Sequence, residues 1–374
     1  MPPEEHSFGS QLTAWYRRFQ RKLPWRETRD PYAILVSELM LQQTQVKTVI
    51  PYFRRFLVAF PDPAALAAAE EASVLKLWQG LGYYRRARYL QKAAKAIVAD
   101  HGGRFPSTKA EIDALPGVGP YTSAAVASIA FGLPFACVDG NVIRVISRIA
   151  AIDEDVGRAA VKKRIQETAQ ALLSGHEPGD FNQAVMELGA TICTPRSPSC
   201  LACPVSDHCS VVQRGLMAEA FPVKTKRVQP SKVDFESLFV FVAGESPLFL
   251  MGRRPDSGLM ASMWELPTRV RDEGRPWPEW FHGELQYLGR LEEPVVHRFT
   301  HLHATYRLSL FQAAHPFDWR IAPDGYADTR WVSADDLAQI PVTKVFQKAM
   351  PKIQAFLNRK EQPCPSETST LPGV

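Results

Sequence analysis

The sequence predicts an all-helical domain followed by a smaller α+β domain, on three observations. Up to about residue 212, apolar residues recur at roughly helical spacing and alternating runs are few. After residue 235, short apolar and aromatic runs separated by turn residues indicate strands. The length of 374 residues is itself typical of two domains. We therefore expect a helical domain over residues 8–212, a linker over 213–234 and an α+β domain over 235–358.

Six stretches predict the helices of the first domain. Asp30 and Pro31 open the second stretch as a helix start, because Pro fits the first helical turn. The third and fourth stretches are rich in Ala, and each ends at a Gly, which is common just past a helix C-terminus. In chain order the stretches are SFGSQLTAWYRRFQRK, DPYAILVSELMLQQTQVKTVIPYF, DPAALAAAEEASVLKLWQG, ARYLQKAAKAIVADHG, TSAAVASIAFG and NVIRVISRIAAI.

Four runs predict the strands of the second domain, and one further run predicts a helix that closes it. The linker between the domains is basic and punctuated by Pro, which is typical of a connector. The tail over 359–374 is polar and rich in Pro, so we expect it to be disordered. The predicted strands are FESLFVFVAG, PLFLMGRR, ATYRLSLFQAA and DTRWVSADDL, and the closing helix is KVFQKAMPKIQAFLNRK.

The composition admits an acidic partner such as nucleic acid without demanding one. The formal net charge is +5, which is mildly basic for a chain of this length. The first ten residues contain acidic side chains and no apolar run, so we expect no secretory signal. An uninterrupted apolar run of about 18 residues is also missing, so we expect no membrane span and a cytoplasmic protein.

Four cysteines lie within the stretch CTPRSPSCLACPVSDHC, with six, two and five residues between them. They are Cys193, Cys200, Cys203 and Cys209. Cytosolic thiols are usually kept reduced, so a disulfide knot is a poor explanation and metal thiolates are a better one. A four-cysteine zinc site and a [4Fe-4S] cluster both fit this donor set, and the spacing alone leaves the two open.

Two carboxylates stand in segments that suit chemistry. Glu38 lies among aliphatic residues in SELMLQQTQV, and apolar surroundings raise the pKa of a carboxyl toward the range of a general acid. The alternative is an exposed Glu on the polar face of a helix. Asp139, in PFACVDGNVIRVISR, precedes a predicted helix, where the common role of Asp is to cap the N-terminus. The alternative there is a carboxylate at the mouth of a site.

Three further segments suit contact with DNA. In LPGVGPYTSAAVASIAFG, Gly117 and Gly119 let the backbone approach an anion at a helix N-terminus, although a plain tight turn would look similar. Leu41 and the amides that follow it form a wedge with groups able to bond base edges. The stretch GLGYYRRARYLQKAAK combines basic and aromatic side chains, which suits phosphates and stacked bases, or else a solvated basic helix face.

Taken in order, SELMLQQTQV, GLGYY, LPGVGPYT, VDGNV and the four-cysteine spacing closely resemble the MutY family of adenine DNA glycosylases. That family belongs to the helix–hairpin–helix, Gly/Pro-Asp superfamily. The resemblance covers residues 8–212 densely and continues more loosely over the second domain. It implies a helix–hairpin–helix glycosylase domain whose four-cysteine loop holds a [4Fe-4S] cluster. It also implies a monomer whose partner is double-stranded DNA containing A:8-oxoguanine or A:G mispairs, so that the cytoplasmic protein associates with the nucleoid.

The resemblance implies a role for each matching residue. Glu38 matches the acid that protonates adenine N7 and later serves the nucleophile, and Asp139 matches the carboxylate that stabilises the cationic sugar. Tyr121 stands where relatives that also cut the DNA backbone carry a Lys nucleophile, which implies a monofunctional enzyme. The remaining matches are Asn141 in the same site, Arg26 and Gln183 at the flipped base, and Gln43 and Tyr83 inserted into the duplex.

The second domain resembles a MutT-like (Nudix) fold through LFLMGRRPDSGLMASMWELPT. A pyrophosphatase of that fold needs an Arg-Glu…Glu-Glu metal box, which RVRDEGRPWPEW lacks. The resemblance therefore implies a domain that reads the base opposite the adenine. Its reading loop matches Phe299, Thr300 and His301, with Thr where relatives carry Ser.

Three other functions compete with adenine removal. A mismatch thymine glycosylase and an endonuclease III-like enzyme are related activities, and Tyr121 and the second domain argue against the latter. A non-catalytic DNA-binding protein with a redox-sensing cluster is the alternative outside enzymes. The presence of both Glu38 and Asp139 argues against it.

Overall fold

The computed structural model describes residues 6–225, 229–271, 285–299, 301–317 and 325–361. The chain divides into two compact units, residues 1–227 and 228–374. Within the described residues, no helix is both long enough and apolar enough to cross a membrane. Thr300, residues 226–228 of the predicted linker and residues 362–374 of the predicted disordered tail lie outside the described residues.

The first unit is helical, as the sequence predicts. Short 3₁₀ turns at Pro24–Arg26, Cys200–Ala202, Ser206–His208 and Ala218–Ala220 accompany its helices. The α-helices are α1 (Phe8–Phe19), α2 (Pro31–Leu41), α3 (Val46–Ala59), α4 (Pro63–Ala68), α5 (Glu71–Trp78), α6 (Arg85–His101), α7 (Lys109–Ala114), α8 (Pro120–Phe131), α9 (Gly140–Ile149), α10 (Ala159–Leu173), α11 (Pro178–Thr191) and α12 (Ser210–Gln213).

The stretch predicted as one helix from Asp30 is two helices. α2 ends at Leu41 and α3 begins at Val46, with Gln43 between them at a φ of 56°. The break has an identifiable cause in Arg86 of α6. Its guanidinium donates to the carbonyl oxygens of Leu39, Met40 and Gln42 at 2.6, 2.9 and 2.6 Å, which satisfies the end of α2 from outside the helix.

The centre of the first unit is made of helices that are buried nearly all round. In α2, the nine residues from Tyr32 to Met40 are all buried. In α8, small residues from Thr122 to Ser128 are buried, so neighbouring helices approach closely. Gly179 of α11 meets this helix, since a Cβ there would lie 3.1 Å from the Cα of Ile129. A side chain in the middle of α2 is therefore enclosed by protein.

The second unit is a sheet packed against one long helix. The strands follow the order β3-β2-β1-β7-β5, and β4, β6 and β8 pair with β1, β7 and β2. The long helix, α14, packs its apolar face on this sheet. The elements are β1 (Ser231–Val242), β2 (Leu248–Arg253), β3 (Trp264–Glu265), β4 (Thr268–Val270), β5 (Leu285–Arg290), β6 (Val295–Arg298), β7 (Leu302–Ala313), β8 (Asp328–Ser333), α13 (Ala334–Gln339) and α14 (Lys344–Glu361).

The boundaries around the linker differ from those that the sequence predicts. β1 begins at Ser231, inside the predicted linker, because it pairs in parallel with β7 over its whole length, from Ser231 opposite Leu302. A ladder of backbone hydrogen bonds does not require apolar side chains, so the polar start of the strand gave no signal. At the other end, α14 runs to Glu361, three residues beyond 358.

The first half of the predicted linker belongs to the first unit. Phe221 is buried against Val211 of the first unit, and the guanidinium of Arg148 donates to the carbonyl oxygens of Ala218 and Phe221 at 2.9 and 3.3 Å. The carbonyl oxygen of Val223 accepts from the backbone of Val156 at 3.1 Å. The connecting segment is consequently shorter than the composition indicates.

We predict that Arg86→Met destabilises the first unit by about 2–4 kcal/mol, because it leaves several buried carbonyl oxygens without donors. Unfolding in urea, followed by helical circular dichroism, measures the change. The matched control is Arg85→Met at the preceding, exposed position, which we expect to stay within about 0.5 kcal/mol of the parent chain. Equal stability of the two variants would contradict the assigned role of Arg86.

Candidate active site

A pocket of about 730 Å³ lies in the first unit between α2, α8, α9 and α11. It brings together residues that are far apart in the sequence. A cleft of this size with several polar groups is the ordinary form of a small-molecule or base-binding site. Among the predicted site residues, it is lined by Arg26, Glu38, Leu41, Gln43, Gly117, Gly119, Tyr121, Asp139, Asn141 and Gln183.

Glu38 is a buried carboxyl of the pocket, with only 6% of its surface exposed. This excludes the alternative of a Glu on a solvated helix face. The hydroxyl of Tyr121 donates to Glu38 Oε2 at 2.7 Å. Burial raises the pKa of Glu38 to about 7, and nearby Asp139 adds to the rise, while the Tyr121 hydrogen bond and Arg26 lower it. A carboxyl with such a pKa is a general acid that holds its proton near neutral pH.

Tyr121 is fixed by its own surroundings. Burial raises the pKa of its phenol well above the usual value, so the hydroxyl remains a donor throughout the physiological range. Its oxygen lies 3.2 Å from the sulfur of Met186, a pocket residue that the sequence did not single out. Met186 comes three residues after Gln183 on α11, so helical spacing places both on one face.

Asp139 is both a helix cap and a wall of the pocket. Its Oδ1 accepts from the backbone nitrogen of Val142 at 2.7 Å, which caps α9. Its Oδ2 accepts from Asn141 Nδ2 at 2.9 Å. The two interpretations of this Asp are therefore compatible, because the cap fixes the carboxylate at the pocket that Glu38 also lines.

Arg26 is held by a buried ion pair that the sequence analysis missed. Glu187 of α11 accepts from Arg26 at 2.9 Å and from Arg21 at 2.7 Å, and the Arg26 guanidinium lies 5.2 Å from the ring centre of Tyr16. Although burial opposes ionisation, the two arginines hold the pKa of Glu187 at about 2. Glu187 follows Gln183 by four residues on the same helix, which is the spacing that would have revealed it.

Gln183 and Leu41 complete the rim of the pocket. The Gln183 side chain donates to the carbonyl oxygen of Gly179 at 3.3 Å. Leu41 is the last residue of α2, and the next residue, Gln42, donates to the hydroxyl of Thr122 on α8 at 3.3 Å. This contact holds the end of α2 against the helix that carries Tyr121.

The helix–hairpin–helix element is formed by α7, the turn after it and α8. Gly117 has a φ of 77°, and a Cβ at that position would lie 2.3 Å from the Cβ of Tyr89. Both the conformation and the lack of space require Gly. Gly119 is the N-cap residue of α8, with open space around it. The exposed start of α8 therefore offers backbone amides for an anion.

Gln43 and Tyr83 share an unusual backbone conformation. Their φ angles are 56° and 49°, in the left-handed region that residues other than Gly seldom adopt. Both side chains are exposed, Tyr83 by 45%. Strained residues of this kind cluster at functional sites, where the surrounding structure holds them in place.

Arg86 bonds to both of the loops that carry these residues, the one between α2 and α3 and the one between α5 and α6. In addition to the end of α2, it donates to the Thr44 hydroxyl at 3.2 Å and to the carbonyl oxygen of Gly82 at 3.1 Å. Its guanidinium lies 5.4 Å from the ring centre of Tyr83. Burial lowers the pKa of Arg86 to about 10, which leaves it charged at neutral pH. Within the basic stretch after GLGYY, Arg86 is thus a buried structural residue.

The four cysteines line one cavity beside α9, together with Val145 and Arg148. No disulfide joins them. A [4Fe-4S] cluster takes four thiolates, and a cavity bordered by Cys193, Cys200, Cys203 and Cys209 fits such a cluster.

Two buried arginines of α9 tie this loop to the pocket helix. Arg144 donates to the carbonyl oxygen of Cys193 at 2.8 Å and to Asn141 Oδ1 at 2.9 Å. Arg148 donates to the sulfur of Cys193 at 3.2 Å and to the carbonyl oxygen of Thr194 at 2.8 Å. The helix that begins at Asp139 is therefore anchored in the loop at its other end.

The predicted reading loop of the second unit lies at the turn between β6 and β7. The backbone nitrogen of Phe299 donates to the carbonyl oxygen of Leu302 at 2.7 Å, and the ring of His297 meets that of Phe299 edge-on at 4.4 Å. His301 is exposed, and its carbonyl oxygen accepts from the backbone of Ser231 at 3.1 Å. Thr300, between them, is outside the described residues.

Comparison with protein families agrees with this arrangement. A model of the HhH-GPD superfamily of base excision DNA repair proteins matches residues 36–200, and the iron-sulfur binding domain of endonuclease III matches residues 193–209. The NUDIX domain matches residues 238–352. The four-cysteine loop is thus a [4Fe-4S] site rather than a zinc site, and the second domain is Nudix-like.

Curated relatives cover most of the chain. The adenine DNA glycosylase of Mus musculus is 34% identical over 98% of this chain and 83% of the mouse protein. That of Homo sapiens is 34% identical over 92% of this chain and 73% of the human protein. A solved structure of a thermostable thymine-DNA glycosylase matches with a TM-score of 0.51 and 34% identity, over 55% of this chain and 95% of its own.

These matches cover both units, and they coincide with the pocket, the hairpin and the four-cysteine loop. The predictions of a helix–hairpin–helix glycosylase domain and an iron–sulfur cofactor are confirmed. The chain belongs to the adenine DNA glycosylase (MutY) family, and it is a DNA N-glycosylase of base excision repair.

Proposed function

We propose that the enzyme removes adenine paired with 8-oxoguanine or guanine in duplex DNA, and that it hydrolyses the N-glycosidic bond without cutting the backbone. One observation carries the proposal: Glu38, with a pKa raised to about 7, shares a pocket with the carboxylate of Asp139. Two carboxyl groups with separate environments are what a glycosidic cleavage needs, one as acid and one beside the cationic sugar.

The base must leave the helical stack before either carboxyl can act on it. In the pocket, Glu38 then donates its proton to N7 of the adenine, which makes the base a better leaving group. Asp139 faces the sugar, where positive charge develops as the bond breaks, and its negative charge stabilises that state. Glu38, now ionised, accepts a proton from the attacking water.

The side chains at the pocket support a hydrolytic rather than a backbone-cutting reaction. Backbone cleavage by a Schiff base needs an amine next to the sugar, and Tyr121 occupies that place with a phenol. Lys109, the amine closest in sequence, forms an ion pair with Asp113 at 2.6 Å. The expected product is an abasic site.

Duplex recognition is assigned to two regions. Gln43 and Tyr83, exposed and held in strained conformations, suit insertion into the base stack. Reading of the opposite base is assigned to Phe299, Thr300 and His301, because 8-oxoguanine presents an N7–H donor where guanine presents an acceptor. The [4Fe-4S] cluster, when bound, supplies cross-links that fix the fold of the four-cysteine loop.

A thymine glycosylase is the second candidate, because the 34% identical solved structure is described as a thymine-DNA glycosylase. Duplexes with A opposite 8-oxoguanine, A opposite G and T opposite G, treated with alkali after incubation, separate the two functions. We expect strand breaks at A in the first two duplexes and intact strands without alkali. Strand breaks mainly at T would favour thymine removal over adenine removal. Strand breaks without alkali would contradict monofunctional hydrolysis.

We predict that Glu38→Gln lowers the single-turnover rate of adenine removal by about 100- to 10 000-fold while mispair affinity changes little, since only the transition state loses its proton donor. Gel-based cleavage and binding titrations measure the two quantities. Glu27→Gln, at an exposed position of the same unit, is the control and should keep the parent rate. Near-parent activity of Glu38→Gln would show that another group is the acid.

We also predict that the single-turnover rate falls by about tenfold per pH unit above pH 7, because Glu38 must carry a proton to act as acid. Tyr121→Phe removes the hydrogen bond that lowers the pKa of Glu38, so the fall should begin at a higher pH. Tyr287→Phe, at a tyrosine that is 58% exposed in the second unit, should leave the profile unchanged. The assignment fails if the fall begins near the usual carboxyl pKa or does not respond to Tyr121→Phe.

A further inference from the structure

The segment that leads into Asp139 has no regular secondary structure. Residues 132–139 join α8 to α9, and Ala136 and Cys137 are buried. A segment outside helices and strands lacks their regular pairing of backbone N–H and C=O groups, and burying those groups without partners destabilises the protein. The backbone nitrogen of Phe135 donates to the carbonyl oxygen of Leu133 at 2.8 Å, and three amide side chains bond five other backbone groups of residues 134–137.

Asn182 of α11 forms hydrogen bonds with the backbone of Phe135 and Cys137. Its Oδ1 accepts from the backbone nitrogen of Cys137 at 2.9 Å, and its Nδ2 donates to the carbonyl oxygen of Phe135 at 2.8 Å. Nδ2 also donates to the hydroxyl of Ser128 at 2.9 Å. Asn182 is only 2% exposed, so these bonds are shielded from water.

Two glutamines of α10 form hydrogen bonds with the backbone of Pro134 and Ala136. Gln170 accepts from the backbone nitrogen of Ala136 at 3.0 Å and donates to the carbonyl oxygen of Pro134 at 2.8 Å. Gln166 donates to the carbonyl oxygen of Ala136 at 3.0 Å. The three amides therefore bond to the segment much as neighbouring strands would, from two helices.

We propose that Asn182, Gln170 and Gln166 form an amide clamp that positions Asp139 for the reaction, with Asn182 as its principal member. The inference rests on the proposed role of Asp139. The hydrogen bond from the Val142 backbone fixes the carboxylate relative to α9. It does not fix the position of the segment that leads into α9. The clamp supplies that second constraint, two residues before Asp139.

The position of Asn182 on α11 supports a role in the site rather than in general packing. The adjacent residue, Gln183, lines the pocket. Two neighbouring side chains of α11 therefore contact, respectively, the proposed base site and the segment that precedes Asp139. The residue type is also specific, because one side chain must accept from an N–H and donate to a C=O. Asp could accept but not donate, and Leu could do neither.

Asn182→Leu tests the proposal because it removes the three hydrogen bonds of Asn182 and keeps the branched shape of the side chain. We expect the single-turnover rate of adenine removal to fall about 10- to 100-fold, as for a small displacement of a reacting group, with mispair affinity unchanged. Hydrogen exchange at the amides of Ala136 and Cys137 should accelerate, while exchange within α9 should not. Gln170→Leu, a milder change at a half-buried position, should show the same pattern to a smaller extent.

Gln91→Leu is the matched control. Gln91 is 3% exposed, and its amide donates to the carbonyl oxygens of Leu66 and Ala69 at 3.3 and 2.7 Å, away from the pocket. It should lower the melting temperature as Asn182→Leu does but keep the parent rate. The amide clamp is refuted if the control loses as much rate as Asn182→Leu, or if Asn182→Leu and Gln170→Leu both keep the parent rate despite faster exchange.

Asp139→Asn separates this inference from the function on which it rests. Loss of activity in Asp139→Asn together with parent activity in both clamp variants would refute only the clamp. Parent activity in Asp139→Asn would refute the proposed role of Asp139 and the clamp with it. If Asn182→Leu does not fold, Gln170→Leu and its exchange pattern decide the question.

Discussion

The burial of one carboxyl, that of Glu38, is the constraint around which the first unit is arranged. An acid near neutral pH needs apolar surroundings, and α2 provides them because its residues are buried on every side. Such a helix cannot end in the ordinary way, with its last carbonyl groups in water. The small residues of α8, the hydroxyl of Tyr121 and the guanidinium of Arg86 all follow from this requirement: they allow close packing, bond the carboxyl and close the helix end.

The second carboxylate, that of Asp139, lies in different surroundings from those of Glu38. Asp139 is bonded by the backbone of Val142 and by Asn141, and it stands at the start of α9 rather than within a helix. At Glu38, by contrast, burial favours the neutral form and raises the pKa. The two carboxyls thus differ in environment because one belongs to a helix interior and the other to a helix N-terminus, and that difference is set by the fold.

Local sequence patterns predicted much of this arrangement. They failed where contacts with residues distant in the sequence determine the structure. The aliphatic neighbours of Glu38 offered burial as one of two interpretations, and the residues after Asp139 indicated a cap. The break between α2 and α3 was missed because Arg86, more than forty positions later, satisfies the carbonyl groups that cause it. Glu187 was missed because its partners Arg21 and Arg26 lie over 160 positions away. The start of β1 was missed because strand pairing with β7 lengthens it beyond its apolar core.

With Gln43 and Tyr83 as the proposed inserted residues, their strained conformations bear on how the enzyme would search DNA. A repair enzyme meets many ordinary base pairs for each damaged one. If its inserted residues became ordered only on contact with DNA, the entropy of ordering them would be lost at every encounter. Here the shared anchor at Arg86 sets both loops when the chain folds, and the entropy of ordering them is lost once.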